Sequence, residues 1–314
     1  MINDADQKLP KSLRAHILET LTYYDIFNYP LKRKEILRFL QTSHADENLI
    51  QHELDSLCNE KLIFQFDDFF TIQNNPALVE RRRRGNEEAK KFLPLARKQA
   101  KRIASFPYVR AVMASGSLSK GYMDENSDLD FFIVTEPGRL WIARILLVMY
   151  KRIFLFNSHK YFCVNYFVDT QHMEIEEKNL FTATELATVI PLYGGEYFVT
   201  LFESNTWIKK FFPNHEPRSV QNVAMSKSKG VKKILEGVIN LSFPGQLNNF
   251  FMQLTLRRWK RLYQKDYPTA EFKVAFKTKQ YASKTHPKNY QRKIMDLYED
   301  KLKEINQRLS MVHS

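Results

Sequence analysis

An apolar run fit for a protein core, Phe131 to Val134, begins with two like charges, Asp128 and Asp130. In a β-strand, side chains alternate between faces, so these two carboxylates share one face while Leu129 and Phe131 take the other. Their Cα atoms then lie about 6.5–7 Å apart. Two carboxylates converging at the start of a strand repel each other unless a cation sits between them. A divalent ion with oxygen ligands suits the pair. Mg²⁺ fits better than Zn²⁺ because no soft ligand is near in the chain.

Upstream lies a loop bounded by Gly116 and Gly121. Gly116 allows a tight turn after the strand expected in "YVRAVMASGS". Ser117 brings a hydroxyl and an N–H to what reads as a helix start, where backbone donors favour phosphate. Lys120 adds positive charge. Phosphate donors beside paired carboxylates are the parts needed for metal-assisted nucleotidyl transfer. Arg139 and Arg144 on the next helix are expected to pack or face solvent rather than reach a phosphate.

The run from Gly116 to Asp130, "GSLSKGYMDENSDLD", resembles the nucleotidyltransferase (polymerase-β-like) superfamily, over roughly residues 105–175. That motif is a hydrophobic strand, Gly-Ser, a short helical segment, then D-x-D on the next strand. The resemblance implies that Asp128 and Asp130 hold one or two Mg²⁺ ions. It implies that Gly116 and Ser117, with Lys120 nearby, cradle a nucleoside triphosphate such as ATP, and that an acceptor hydroxyl attacks the α-phosphorus. The family carries a third carboxylate on a later strand. Here the matching strand, "YFCVNYFVD", has Asn165 in that place. Asn ligates through its carbonyl oxygen but takes no proton at neutral pH. Asp169 shares the face by parity, about 13 Å further along, and replaces the missing group only if the strand bends or ends early. Two readings stay open. One is an enzyme moving AMP from ATP to a hydroxyl of a small molecule, protein or RNA end. The other is a nucleotide-sensing regulatory protein with weak or no catalysis, contacting a protein or nucleic-acid partner.

The expected fold is α+β with three parts. Residues 1–76 read as a winged-helix-like domain: three helices and a hairpin around Asp67-Asp68. Residues 77–180 read as a nucleotidyltransferase-like core of mixed sheet and helices, entered through a helical connector that Pro94 kinks or divides. In that connector the run Arg81 to Arg84 reads as a solvated face paired with Glu80, Glu87 and Glu88. Residues 181–314 read as a helical domain, capped first by Thr182 or Thr184, with long loops at 212–230 and 264–290. DNA binding by the first part is not expected, because its third helix and hairpin tip are acidic.

At 314 residues the chain exceeds one ordinary core. Its net charge of +13 is concentrated late: residues 209–314 hold 22 Lys and Arg against 8 Asp and Glu. Such a basic third meets phosphates or forms solvated helix faces. The histidines show no zinc spacing. Cys58 and Cys163 read as reduced core residues, which with a polar N-terminus lacking a signal peptide makes the cytoplasm the expected location. No apolar stretch approaches the roughly 20 residues of a membrane span, and no membrane is expected as a partner.

Overall fold

The computed structural model describes residues 12–43, 46–156, 160–241, 243–285 and 290–312. The N-terminal stretch read as lacking a signal peptide lies outside them. The first elements are helix α1 (Leu13–Asp25), strand β1 (Leu31–Lys32), helices α2 (Arg33–Phe39) and α3 (Glu47–Asn59), and strands β2 (Phe64–Phe66) and β3 (Phe69–Thr71). Next come α4 (Ala77–Ala104), β4 (Val109–Ser115), α5 (Gly116–Ser119), β5 (Asp130–Thr135), α6 (Leu140–Phe154) and β6 (Cys163–Asp169). Then follow α7 (Leu180–Thr188), β7 (Ile190–Tyr193), α8 (Gly195–Ser204), α9 (Ile208–Phe211) and α10 (Gly230–Asn240). The last are α11 (Pro244–Tyr263), α12 (Thr269–Ala275), β8 (Ala282–Lys284) and α13 (Tyr290–Val312). The fold is α+β, and the chain divides into two compact units.

One unit takes the residues up to Arg84, with Trp207–Glu216 and the residues from Gln291 on. Ser12 starts α1 by accepting from the Ala15 N–H at 3.3 Å, and Asp46 starts α3 by accepting from Asn48 and Leu49. These caps satisfy N–H groups that the first helical turn leaves unpaired. Ile17, Leu21, Ile36, Ile50, Leu54 and Leu57 are buried at helical spacing, whereas Leu49 is exposed. The strands form an antiparallel sheet in the order β1-β3-β2.

The arginine run is a solvated face in its second half only: Arg83 and Arg84 are exposed, while Arg81 and Arg82 are engaged by the fold. Arg81 donates to the carbonyls of Phe27 and Asn28. Arg82 is buried, donates to the Pro30 carbonyl and to Glu35, and stacks 3.7 Å over the Tyr29 ring. Arg83 reaches Asp67 at the hairpin tip, and Lys32 holds Asp68. The pairing expected for Glu80 does form with Arg83, while Glu87 and Glu88 pair instead with Lys90 and Lys91.

The other unit is built on a five-stranded mixed sheet, β7-β4-β5-β6-β8. Strands β5 and β6 are parallel, joined through α6, and the other pairings are antiparallel. One sheet face carries Val112, Ala114, Phe131, Ile133, Val164 and Phe167 into a core shared with the later turns of α4 and with α6 and α11. Trp141 fixes that packing: its backbone N–H donates to Asn248 at 2.9 Å and its indole N–H to the Lys279 carbonyl at 2.9 Å. Helix α4 runs unbroken through Pro94, because Ala89, Ala96, Ala100 and Ile103 lock it to the core on both sides of the missing N–H.

The region beyond 181 is not wholly helical. Strands β7 and β8 come from it and close both edges of the sheet, and it contributes residues to both units. Helix α7 starts at Asn179, whose side chain accepts from the Thr182 N–H, not at either threonine. The span 264–290 holds α12 and β8 rather than a long loop. Its strand is three residues long, too short to show alternation in sequence.

Arg82→Ala should destabilise its unit by about 2–4 kcal/mol, since it leaves Glu35 half-buried without its cation. Arg82→Lys should recover less than half, lacking the planar fork. Chemical denaturation followed by far-UV circular dichroism measures both. An Ala variant within about 0.5 kcal/mol of wild type would reduce the contact to decoration.

Candidate active site

The glycine turn and the aspartate pair are brought together by strand register. In the antiparallel ladder, Ser115 at the end of β4 pairs with Asp130 at the start of β5. Gly116 follows with φ +63°, and a Cβ placed there would collide with the Asp130 Oδ2 atom. Only glycine both adopts this backbone and leaves room for the carboxylate. The loop's far end is fixed by a second glycine, Gly85 on α4. The Tyr122 ring rests where its Cβ would be, and the Met123 N–H donates to the Gly85 carbonyl at 3.0 Å. Asn86 donates to the Gly121 carbonyl beside it.

Strand β5 begins at Asp130, not at Asp128. Leu129 nevertheless continues the ladder, donating to the Lys160 carbonyl and accepting from Cys163. Asp128 lies close enough to repel Asp130. Burial first, then the negative charges of Asp128 and Glu185, push the Asp130 carboxyl up from 3.8 to about 7, against hydrogen bonding from Cys163 and the nearby Lys120 cation. The Cys163 thiol is itself pushed up to about 12 by burial and by Asp130, so it is no nucleophile at neutral pH.

Asn165 faces the same site. Its amide donates to Asp130 Oδ1 at 2.7 Å, and its carbonyl oxygen accepts from the Cys163 thiol at 3.1 Å. Phe131 pairs with Val164 and Phe132 with Tyr166, so Asn165 occupies a bulge between them. That bulge breaks the parity that placed Asp169 on the same face. Asp169 pairs with Thr135, at the opposite end of β5 from Asp130. Its carboxylate caps the following turn, accepting from the N–H groups of Gln171 and His172 and from the His172 ring. The structure does not bring Asp169 to the site.

Ser117 is the second residue of α5, half-buried, and Lys120 lies at the end of that helix. The Lys120 ammonium donates to the Gly116 carbonyl at 3.2 Å and pairs with Glu185 at 2.7 Å. Glu185 on α7 is thus the carboxylate that sequence reasoning missed. It stands 55 positions beyond Asp130, in a helix whose pattern signals only packing. Arg144, by contrast, is buried among Trp141, Phe167 and Trp259 and donates to Thr285.

The donor set fits a hard divalent cation. Two carboxylates repel each other beside a turn too tight for a Cβ. Among the described residues no three His, Cys, Asp or Glu side chains form a metal cluster by themselves. Mg²⁺ ordinarily takes one or two protein carboxylates and completes its shell with phosphate and water.

The raised Asp130 pKa has a stability consequence. Between pH 3.8 and about 7 the folded form binds more protons than the unfolded chain, so stability falls as pH rises through that window. In Mg²⁺-free buffer, Asp130→Asn should melt above wild type at about pH 8 and converge with it near about pH 4. A gap that stays constant across that range would mean that Asp130 titrates as an ordinary surface acid.

Residues 96–186 match the family model described as a nucleotidyltransferase domain, a span that contains every residue of the site above except Gly85 and Asn86. No curated protein and no solved structure matches the chain. With its glycine–serine turn in register against an aspartate pair, the segment 96–186 is a domain of the nucleotidyltransferase superfamily.

Proposed function

We propose that this chain transfers a nucleoside monophosphate, AMP from ATP, to a hydroxyl of a protein, RNA or small-molecule acceptor. Transfer of a nucleotidyl group is what a domain of this family supports in general. The observation supporting the finer reading is the packing of Gly116 against the Asp130 carboxylate, which would set the proposed phosphate donors beside the proposed metal ligands.

In this reading Asp128 and Asp130 hold Mg²⁺. Held there, the ion would supply positive charge against the α-phosphoryl group and the leaving pyrophosphate. The backbone N–H groups of Gly116 and Ser117 hold the β- and γ-phosphates at the start of α5. Lys120, tethered to Glu185, keeps a positive charge at the rim of the turn. Asn165 orients Asp130 by donating to Oδ1, leaving Oδ2 toward the glycine turn. The cytoplasm is the proposed setting, supported by free thiols at Cys58 and Cys163. The first unit, with three helices and a β1-β3-β2 sheet, is read as winged-helix-like and as a protein contact rather than a DNA reader.

A second reading, a nucleotide sensor with little turnover, is favoured by one observation. The position of the family's third carboxylate is Asn165, whose amide is already engaged with Asp130.

Purified chain with Mg²⁺, α-labelled ATP and candidate acceptors should release pyrophosphate and label one acceptor. Asp130→Ala should lower that rate by about a hundredfold or more. Nucleotide binding with no pyrophosphate release, unaffected by Asp130→Ala, would replace the enzyme reading with the sensor. Asn165→Asp discriminates further: a rise in turnover is expected if the wild type lacks only a proton acceptor.

A further inference from the structure

Helix α10 is docked inside out. Its charged residues Lys232 and Glu236 are buried, while Val231, Ile234, Leu235 and Val238 face solvent. The Lys232 ammonium donates to the carbonyls of Ala104 and Val109 at 2.9 and 2.6 Å. Glu236 accepts from the Tyr108 N–H at 2.6 Å, from Arg110 at 2.9 Å and from Ser228 at 2.6 Å. These bonds, with Ile239 packed against the core, make up the inward side of the helix. At 100° per residue, the outward apolar residues and Leu241 fill one arc of about 120° on the other side. Beyond the helix Leu241 is 84% exposed and Phe243 75%.

A water-soluble surface helix has the reverse arrangement. An apolar stripe with its polar side already consumed suits a boundary between water and something apolar. The flanking charge says which. Residues 225–243 hold four lysines against one acid, Glu236, and of these Lys232 and Glu236 are buried. Lys227, Lys229 and Lys233 beside the stripe are all exposed. A second copy of the chain would bring these lysines against their own kind, which costs association. An anionic surface would be attracted by them.

We propose that α10 and the turn at Leu241 and Phe243 lie on an anionic lipid bilayer, apolar stripe in the acyl boundary and lysines at the headgroups. No membrane-crossing helix is needed, and among the described residues none is long and apolar enough. The expectation that no membrane is a partner rested on the lack of such a span. A helix lying in the interface escapes that test. The site sits at the ends of β4 and β5 opposite to Ser115 and Asp130, and the proposal does not depend on the chemistry there.

Full-length protein is sedimented with phosphatidylcholine vesicles, with and without about a third phosphatidylglycerol. Binding to the mixed vesicles should exceed binding to neutral ones by about tenfold or more. Ile234→Glu and Leu241→Glu should each reduce it by about tenfold or more, the factor expected from one lost apolar side chain. Both positions are exposed, so melting curves should stay unchanged, and Lys229→Glu with Lys233→Glu gives an independent loss. No binding to mixed vesicles overturns the proposal. So does binding that the Glu substitutions leave intact, which would be plain charge adsorption. Self-association that Ile234→Glu abolishes, without vesicle binding, would assign the stripe to a second copy instead.

Discussion

The candidate site depends on the pairing of Ser115 with Asp130 across an antiparallel ladder. That register sets where β4 ends, and therefore where the chain must turn. Because the turn is made at Gly116 in a left-handed conformation, the backbone passes against the Asp130 carboxylate with no side chain between them. Everything else at the site is arranged about this contact. Asn165 fixes one carboxylate oxygen, Asp128 and Glu185 repel the group, and Lys120 partly offsets them. A carboxyl held near neutrality by burial and by its own kind is a poor structural element. It is a reasonable place for a cation to bind, since a cation relieves both costs at once.

The supports of this contact lie in distant segments. Gly85 on α4 receives Tyr122 and anchors the loop between the turn and the aspartates. Helix α7 supplies Glu185 to Lys120 and Thr188 to Ser119, tying α5 from the side. Strand β7 pairs with β4 and strand β8 with β6, so the sheet that holds the register has its edges covered. Burial of charged groups recurs away from the site. Arg82 in one unit, and Lys232 with Glu236 in the other, are buried with their hydrogen bonds met by backbone groups and by the side chains of Glu35, Arg110 and Ser228. Each such group costs desolvation and is kept because its partners are fixed in place.

Much of the site was legible in one stretch. Gly116, Ser117, Lys120, Asp128 and Asp130 lie within fifteen residues, and short-range spacing in a strand–turn–strand unit translates directly into proximity. The three helices and the hairpin expected in the first part were legible too, as α1 to α3 with β2 and β3. Strands β7 and β8, four and three residues long, were not, because so short a run has no readable period and, unlike β2 and β3, neither is marked by a tight hairpin turn. Asp169 failed for a different reason. One extra residue in β6 at Asn165 reverses every later face, and no local signal announces a bulge. Arg81 and Arg82 were misread because charge predicts exposure only when no carbonyl or ring awaits it.

The amino-acid sequence alone determined that this chain carries a strand, a glycine–serine turn and a paired-aspartate strand in succession, since those features follow from neighbours along the backbone. It also determined a basic final third. Only the tertiary structure decided that Glu185 and Lys120 meet, that Asn165 and not Asp169 reaches Asp130, and that α10 turns Lys232 and Glu236 inward and its apolar stripe out. The physical reason is the same in each case. Which partner a charged or apolar group finds depends on chain segments tens to more than a hundred positions away, and pairing at that range is set by packing and register rather than by local spacing.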